Sequence, residues 1–548
     1  MRIRAGFPAL YCLLLVPLFA NLQAAAVQPT PVREADQACA RCHEKIYQSY
    51  LTTPMANASG LASEKLRPAI FVHSRSGTEY TISVRDQQGQ LAYRSTKDPS
   101  ISGQLRLDYF FGSGHLGTTY LYSIGDYLFE SPVAWYAASN TYDMKPGLAE
   151  MDHMPPPLPM QSGCMRCHMS AVQASDPGTI NRYQGLPFLH GGITCESCHG
   201  DTTSHIATKG KAKAVNPSTL GAEQRDSICI SCHLEGDVSV ERSGRSALDF
   251  RPGESISTYL AFYVRKGAKL TDRAVSEVEQ LSQSTCKRVS GDRMSCMSCH
   301  DPHYTPDASH RTAFFRARCL TCHSDPAFAQ SHHPENQDCT SCHMPRAGAR
   351  NVLHVAWTDH RIRRRPDPAG AAPEGDPGGD LAPVFSPGAT KRDEAMANYK
   401  ALLEGDRSRE AKAWELLNAL RDDLGNDKNA WDALGNMSAE RGDMRQAEQA
   451  FRRVLELDPH DLTALSNMGI LLAKQGKLQE GEALLREGFD RNMDIPGVAM
   501  NLARVQCMKG DGAAARTTLS TALKYCPSDE GMRRLLKQIG NCSASDAK

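Results

Sequence analysis

The sequence predicts two structural regions in series: an α-rich region with much coil and a small β-rich insert, followed by an all-α solenoid of repeats. Three observations support this fold class. Short Cys-x-x-Cys-His segments recur between residues 39 and 343, alternating apolar and polar residues mark an insert at about 69–135, and glycines recur every 34 residues near the C-terminus. Because these patterns occupy separate stretches, we expect each to build its own part of the fold.

The Cys-x-x-Cys-His segment occurs seven times, and every copy is complete. This arrangement is the attachment motif of c-type haem. Cysteines three residues apart lie one helical turn apart, so both sulfurs can form thioethers to the vinyl groups of one porphyrin. The next histidine then lies under the iron as its proximal ligand. The sequence therefore predicts seven haem c groups, attached at Cys39, Cys42 and His43; Cys164, Cys167 and His168; Cys195, Cys198 and His199; Cys229, Cys232 and His233; Cys296, Cys299 and His300; Cys319, Cys322 and His323; and Cys339, Cys342 and His343.

Two other uses of Cys-x-x-Cys compete with haem attachment. A single pair is often half of a zinc site or a redox-active dithiol. Seven copies, each followed by histidine, favour haem over both. Five cysteines remain outside the motifs, and the last three offer one disulfide in an oxidising compartment. These five are Cys12, Cys286, Cys507, Cys526 and Cys542.

A haem iron that only transfers electrons usually takes a second axial ligand besides its proximal histidine. Twelve histidines lie outside the motifs, and eleven of them precede residue 361. Those in haem-dense segments are the predicted second ligands: His205, His303, His333, His354 and His360. The other histidines of this region are more compatible with solvated or structural side chains: His73, His115, His153, His190, His310 and His332.

Met55 is a further candidate ligand. Glu44–Leu51 can continue the helix of the first motif, and Pro54 should then turn the chain, because the residue before a proline avoids helical geometry. Met55 would emerge close to the first haem, where its thioether could bind an iron and raise its potential. The alternative is that Met55 only packs on the porphyrin, since methionine fills apolar gaps well.

Residues 1–26 are predicted to be a signal peptide. Arg2 and Arg4 precede an apolar stretch, and Ala24–Ala26 offer a small-residue cleavage site. No later run of about 18 apolar residues predicts a membrane span, so we expect a periplasmic or cell-surface protein. Its 62 basic and 62 acidic residues balance and give no indication of a nucleic-acid partner. Haem propionates would make the loaded protein acidic and favour basic patches on redox partner proteins.

The mature chain divides into three predicted parts. Residues 27–360 carry all the haem motifs, and the β-rich insert at about 69–135 lies between the first two. Within it, alternation on both sides of Asp86–Gly89 predicts a hairpin. Residues 361–390 are rich in proline, glycine and alanine, which is typical of an exposed linker. Residues 391–540 contain no haem motif and show helical patterning.

The C-terminal part repeats with the tetratricopeptide period. Gly442, Gly476 and Gly510 are 34 residues apart. Residues 391–427 resemble a degenerate additional copy. Stacked helix pairs build a solenoid with a concave surface, which predicts docking of redox partners; the alternative is that the solenoid only packs on the haem region. The signature positions of the first clear copy are Trp431, Leu434, Gly435, Ala447, Phe451 and Pro459.

Residues 38–360 resemble the multihaem cytochromes related to tetrahaem cytochrome c and the hydroxylamine-oxidoreductase-like group. Four segments carry the resemblance: Cys39–Asn57, Gly191–His205, Ser295–His303 and Cys339–Ile362. The resemblance implies that His205 and His303 are second ligands. The sequence departs from the family at Met55, where related segments carry histidine. Family enzymes often have an open haem or a lysine in one motif, whereas all seven motifs here end in histidine.

These patterns together predict an exported electron carrier with seven covalent haems and a repeat domain for partner docking. An enzyme is the less favoured interpretation, because no motif carries a mark of a catalytic haem. Two alternatives remain open. One is an oxidoreductase of small nitrogen or sulfur compounds at one open haem, and the other is a scaffold that senses redox state.

Overall fold

A computed structural model describes residues 28–266, 275–332, 335–348, 356–364, 379–385 and 388–539. The predicted signal peptide and two predicted iron ligands, His333 and His354, lie outside these residues. Within the described residues, no helix has both the length and the apolar character that crossing a membrane requires.

The haem-motif region is built from short helices and many strands. In chain order these are β1 (Thr30–Pro31), α1 (Val32–Ala35), α2 (Gln37–Tyr50), β2 (Ser59–Leu61), β3 (Ala69–His73), β4 (Thr78–Arg85), β5 (Gln88–Ser95), β6 (Ser102–Phe111), β7 (Gly117–Ile124), β8 (Tyr127–Glu130), β9 (Val133–Tyr136), β10 (Thr141–Met144), β11 (Leu158–Pro159), α3 (Ser162–Met165), β12 (Met169–Val172), β13 (Phe188–Gly191), α4 (Glu196–His199), α5 (Thr203–Ala207), α6 (Ala222–His233), β14 (Val238–Glu241), β15 (Leu260–Arg265), α7 (Glu277–Gln283), α8 (Thr285–Ser290), α9 (Arg311–Leu320), α10 (Pro326–Ser331), α11 (Cys339–His343), β16 (Arg346–Gly348), β17 (Ala356–Thr358) and β18 (Leu381–Pro383).

A ten-stranded antiparallel sheet dominates the first half of this region. Its main path runs β10-β9-β7-β6-β5-β4-β3, with β2, β8 and β11 joined at its sides. Strand β4 shows why the segment is β: Thr78, Tyr80 and Ile82 point inward and alternate with partly exposed residues, the period of a half-buried strand. The turn between β4 and β5 places Asp86 and Gln87 at positive φ, as a tight two-residue hairpin requires.

The expectation of an α-rich haem region is not confirmed. The sheet includes the segment predicted as a small insert and extends beyond it, from β2 to β11. The longest helices are α2 and α6, with 14 and 12 residues, and most others span only one or two turns. The segments between motifs are too polar and too short to bury the apolar face that a longer helix needs.

A smaller sheet, ordered β14-β15-β18, uses part of the segment predicted as a linker. Tyr263 of β15 lies opposite Pro383 of β18. The Val384 N–H donates to the Phe262 carbonyl at 2.8 Å, and the Lys266 N–H donates to the Asp380 carbonyl at 2.8 Å. Residues 379–385 are therefore held against the haem-motif region. Composition alone did not reveal this strand because its pairing partner lies more than a hundred residues earlier.

The C-terminal part is a solenoid of helix pairs. Its helices are α12 (Lys391–Leu403), α13 (Glu410–Ala419), α14 (Lys428–Glu440), α15 (Met444–Leu457), α16 (Leu462–Lys474), α17 (Leu478–Arg491), α18 (Pro496–Met508), α19 (Gly512–Ala522) and α20 (Glu530–Gln538). The signature glycine of α14 allows close packing, since a Cβ on Gly435 would lie 2.6 Å from the ring of Phe451. Cys507 is disulfide-bonded, whereas Cys526 is a buried free thiol.

The solenoid is seated on the haem-motif region along the loops that join successive helix pairs. At its start, Arg242 contacts Asp393 at 2.6 Å and Arg392 donates to the Glu241 carbonyl at 2.5 Å. Further along, the Tyr127 hydroxyl donates to the Arg491 carbonyl at 2.7 Å. The solenoid therefore packs on the cytochrome region with one edge, as the packing alternative expected, while the opposite edge carries none of these contacts.

Candidate haem-binding sites

Six of the seven motifs, all except the second, lie in a helix or close one helical turn, which is the local geometry that haem attachment needs. In the third, fifth and sixth motifs, the histidine N–H donates to the carbonyl of the first cysteine at 2.9 to 3.0 Å, which closes one helical turn. The first motif lies inside α2, the fourth ends α6, and the seventh forms α11. None of the fourteen motif cysteines forms a disulfide. Each pair is therefore free to form two thioethers, with the histidine one turn beyond the first sulfur.

Four motif histidines face a second histidine from outside the motifs. The ring centres are 6.2 Å apart for His43 and His205, 5.9 Å for His199 and His303, 6.2 Å for His300 and His360, and 5.9 Å for His343 and His332. In every pair the ring planes are within 26° of parallel. Each pair combines one proximal histidine with one histidine of another segment.

This spacing fits a metal ion shared between two imidazoles. Because an imidazole nitrogen binds a metal at about 2 Å, and its ring centre lies about 1 Å further back, two imidazoles on opposite sides of one metal place their centres about 6 Å apart. The observed separations agree with that value. The residues present therefore fit haem iron held by two histidines.

Backbone carbonyls orient several of these imidazoles. The Nδ1 atom of His199 donates to the Val215 carbonyl at 2.8 Å, and that of His205 to the Ala212 carbonyl at 2.9 Å. Two more, His343 and His360, donate from Nδ1 to the carbonyls of Arg363 and Thr358 at 2.5 and 2.8 Å. A proton fixed on Nδ1 leaves Nε2 unprotonated, which is the atom that a metal binds.

Burial keeps two proximal histidines neutral. Burial, reinforced by the neighbouring His233, lowers the pKa of His168 to about 4. Burial, followed by the effects of His360 and His233, lowers the pKa of His300 to about 4. Both imidazoles are therefore uncharged at neutral pH, and the neutral imidazole is the form that ligates a metal.

Other histidines have partners that satisfy them without iron. Both ring nitrogens of His73 are engaged, Nδ1 with the Ser76 hydroxyl at 2.9 Å and Nε2 with the Ala149 carbonyl at 3.1 Å. The exposed His153 and His310 contact Asp152 and Asp307 at 2.8 and 2.9 Å. These contacts support the structural interpretation of His73, His153 and His310.

Neighbouring motifs contact one another through their cysteines. Four pairs of cysteine sulfurs from different motifs lie close enough to influence each other's protonation: Cys39 with Cys195, Cys167 with Cys232, Cys229 with Cys296, and Cys319 with Cys339. Two more pairs lie close enough to interact electrostatically, namely Cys198 with Cys232 and Cys299 with Cys322. The motifs are therefore arranged in space as first, third, fourth, fifth, sixth and seventh, with the second beside the fourth.

Three motifs differ from the others in what faces the proximal histidine. Among the described residues, no second histidine ring contacts His168, His233 or His323. Phe111 lies 5.2 Å from His168, and Phe328 lies 5.3 Å from His323. These ring separations are shorter than the 6 Å that an intervening metal needs, so each phenylalanine packs directly on the imidazole rather than across an iron.

Comparisons with known proteins agree with this geometry. Residues 137–200 match the family model "Cytochrome c554 and c-prime", residues 289–328 match "Doubled CXXCH motif", and residues 438–496 match a tetratricopeptide repeat model. A curated relative, "Multiheme cytochrome MtrA" of Shewanella baltica (strain OS185), is 24% identical over 182 residues, which is 30% of this chain and 52% of the relative. The chain thus spans about half the length of this relative.

The chain is a multihaem c-type cytochrome with tetratricopeptide repeats.

Solved structures match the solenoid of this cytochrome. MamA (AMB-1) is 19% identical and has a TM-score of 0.25, covering 29% of this chain and 92% of that chain. A thermophilic TPR protein of Thermus thermophilus is 19% identical with a TM-score of 0.23, covering 27% and 79%. At TM-scores this low, neither structure adds to the repeat assignment that the sequence and the family model already support.

Met55 lies in a small apolar cluster of the cytochrome with Val32, Tyr50 and Ala56. Its carbonyl accepts a hydrogen bond from the Ile193 N–H at 3.0 Å. The ring that faces His43 is His205. Ligation of an iron by Met55 stays a prediction, and this arrangement favours the packing alternative at the first haem.

Three of the predicted second ligands, His205, His303 and His360, each face a proximal histidine of a different motif from the one they follow in sequence. His332 faces His343, although sequence reasoning preferred its neighbour His333. Adjacent histidines carry the same sequence signal, so the sequence alone could not show that His332 faces His343. The sequence could not predict that the carbonyls of Ala212, Val215 and Thr358 accept hydrogen bonds from these imidazoles, because every residue supplies the same carbonyl group.

Proposed function

We propose that this cytochrome is an exported electron-transfer protein that carries seven covalently bound haems. The observation that carries this proposal is the set of four imidazole pairs with ring centres about 6 Å apart, each containing one motif histidine. When bound, haem iron supplies one-electron redox chemistry. In these four pairs, two histidines would hold the iron between them, which suits electron transfer and would leave no position for a substrate at those four haems.

The contacts between motif cysteines support a continuous series of haems. Cys39 and Cys195 link the first and third motifs, Cys229 and Cys296 link the fourth and fifth, and the remaining links leave no motif isolated. The chain's residues thus hold the attachment points side by side from the first motif to the seventh. Electrons entering at either end would be passed along this series.

Export is supported by the predicted signal peptide and by the chemistry of attachment, since c-type haems are attached outside the cytoplasm in bacteria. The curated relative is likewise a multihaem cytochrome. We place the protein in the periplasm or at the cell surface. We further place its haem region with the tetrahaem cytochrome c and hydroxylamine-oxidoreductase-like group, supported by the cytochrome c554 match at residues 137–200.

The repeats are proposed to dock redox partner proteins. One edge of the solenoid is occupied by the haem region, through contacts such as Tyr127 with Arg491. Successive helix pairs of the solenoid are tied together by hydrogen bonds of Asn436, Asn467 and Asn501, which keep its surface rigid for docking. A partner bound there would lie beside the haem region, because the solenoid is already seated on it.

A second candidate function rests on the second motif. His168 is packed by Phe111, and no histidine among the described residues faces it. An open second haem would make the protein an oxidoreductase of small nitrogen or sulfur compounds. A five-coordinate, high-spin haem in the purified wild-type protein would favour this candidate, whereas seven low-spin haems would exclude it.

The proposed function is tested by counting haems and by removing one ligand. The intact mass of the mature protein should exceed that of its polypeptide by seven haems, and a smaller number in fully matured protein would contradict the proposal. His205→Ala should convert one haem to the high-spin form in electron paramagnetic resonance spectra. His310→Ala is the matched control, because His310 is exposed and contacts Asp307, and it should leave the spectrum unchanged.

A further inference from the structure

A cavity of about 330 Å³ lies between the large sheet and the C-terminal end of the solenoid. Tyr80, Tyr93 and Tyr122 line it from the sheet, Pro155–Pro157 line one side, and Lys524–Tyr525 close it from the solenoid. No haem motif lines this cavity, so the haems do not account for it. Junctions between two structural units are where small-molecule sites most often occur, and the cavity has the size of such a site.

Three tyrosines bring unused hydroxyl groups to the cavity. Tyr80, Tyr93 and Tyr122 are 0%, 9% and 3% exposed, and their hydroxyls are close enough to interact electrostatically. The Tyr80 hydroxyl has no acceptor for its own proton in the part of the chain that the structure describes. A buried hydroxyl without an acceptor destabilises the fold, and an acceptor atom placed in the cavity would remove that cost.

The protonation of these tyrosines defines the chemistry that they offer. Burial raises the pKa of Tyr80, of Tyr93 and of Tyr122. All three therefore remain neutral phenols at neutral pH and act as hydrogen-bond donors to an incoming acceptor. The neighbouring Thr78 hydroxyl accepts from Ser76 at 3.0 Å, so its own proton is available to the Tyr80 oxygen, and the proton of Tyr80 is left for a ligand.

The rim of the cavity adds a positive charge. Lys524 is exposed, and no ion pair of the described residues includes it. Arg106, the other cation of the lining, is paired with Asp108 at 2.7 Å. Rings supply much of the remaining wall, namely those of Pro155–Pro157 and of Tyr525, which itself packs against Tyr127 at 5.2 Å. A ligand that matches these features is planar, aromatic and negatively charged.

We propose that this cavity binds a small aromatic carboxylate. The ring would lie against Pro155–Pro157 and the tyrosine faces, an oxygen acceptor would receive hydrogen bonds from the tyrosine hydroxyls, and the carboxylate would face Lys524. Because one wall belongs to the sheet and the other to the solenoid, such a ligand would bind both at once. The bound ligand would therefore stabilise the packing of the solenoid against the haem region.

The test is calorimetric titration of the full-length, haem-loaded protein with 2-naphthoate, with neutral 2-naphthamide as the second probe. Wild type should bind 2-naphthoate with one site per chain. Tyr80→Phe and Tyr122→Phe keep the ring and remove the hydroxyl, and each should weaken binding by about five- to tenfold. Lys524→Gln should weaken the binding of 2-naphthoate but leave the affinity for 2-naphthamide unchanged.

Lys537→Gln is the matched control, because Lys537 is exposed on α20 and lies outside the lining; its affinity should equal that of wild type. The haem absorption spectrum of each variant shows whether it has folded and loaded. No binding of 2-naphthoate at millimolar concentration would overturn the proposal. Equal affinity in wild type and both tyrosine variants would overturn it too, since binding would then occur elsewhere. Neither outcome would change the haem count or the ligand spectra.

Discussion

The large sheet and the segment from the fifth motif to the seventh are stabilised in different ways. The sheet has its own core, in which Tyr80, Tyr120 and Phe129 are at most 1% exposed. By contrast, among the residues from 296 to 364 whose burial the structure describes, Pro306 is the only apolar residue that is buried. Ordering a chain costs conformational entropy that buried surface must offset, so this segment needs the faces of its haems, whereas the sheet does not.

The largest expected effect therefore follows from withholding haem. We expect the chain produced without haem attachment to keep the sheet and the solenoid but to lose order from Cys296 to Gly348. Hydrogen exchange followed by mass spectrometry measures this directly. Amides of this segment should exchange at unprotected rates, while β4 to β7 and α14 to α17 stay protected. Equal protection of both regions in the haem-free chain would contradict the comparison.

Truncating one aromatic side chain in each region sharpens the comparison in the loaded protein. Phe129 is fully buried in the sheet, so Phe129→Ala should lower the free energy of unfolding by about 3 to 5 kcal/mol. Phe314 of α9 is only partly buried and contacts Phe315. Phe314→Ala should therefore lower the free energy of unfolding by only about 1 kcal/mol. Native-state hydrogen exchange gives both values. A larger loss for Phe314→Ala would show that the segment has a side-chain core after all.

At the junction of the sheet and the solenoid, one buried carboxyl group should make the stability of the fold depend on pH. Asp494 is 2% exposed, and the polar groups that act on its carboxylate are the Asn181 side chain and its own backbone N–H. Burial raises its pKa to about 6. The groups around it are neutral: Asn181, Tyr525 and Cys526. The folded protein therefore binds a proton more tightly than the unfolded chain does.

The direction of this effect follows from the raised pKa. Between about pH 4 and 6 the folded state holds more protons, so stability falls as pH rises through that window and is constant above it. Asp494→Asn should remove this dependence and raise stability at pH 7 by about 3 kcal/mol. Denaturant unfolding of the wild type and of Asp494→Asn at pH 4.5 and 7 measures the two free energies of unfolding. If the two proteins differed by the same amount at both pH values, the raised pKa of Asp494 would be contradicted.

The smallest expected effect concerns Met55. If Met55 only packs with Val32 and Tyr50, Met55→Leu should leave all haem potentials unchanged. It should lower the free energy of unfolding by less than about 1.5 kcal/mol. Ligation predicts instead that Met55→Leu leaves one iron high-spin and that Met55→His lowers one haem's potential. Redox titration of both variants separates the two interpretations.

Local patterns in the sequence predicted much of this molecule. The alternation around Asp86 predicted the β4–β5 hairpin, and the spacing of Gly442 and Gly476 predicted the helix pairs, because each pattern is a property of one short stretch. The motif histidines were predictable for the same reason. Local patterns also led to the wrong balance of helix and strand, since the short strands β1 and β12–β13 form only through their distant partners.

Contacts between distant segments were not predictable. Nothing near His205 indicates that it faces His43, and nothing near Phe111 indicates that its ring packs on His168. The hydrogen bond from the Tyr127 hydroxyl to the Arg491 carbonyl is another such contact. These contacts depend on how the whole chain wraps around its motifs, and a single sequence carries no signal for them.

The most direct test of the central claim is an anomalous-scattering map at the iron absorption edge from crystals of the loaded protein. The account predicts seven iron peaks. Four of them should lie between His43 and His205, His199 and His303, His300 and His360, and His343 and His332, and the peaks should follow the order of the motif contacts. Fewer than seven peaks, or an iron that lies outside these histidine pairs at the first, third, fifth or seventh motif, would contradict it.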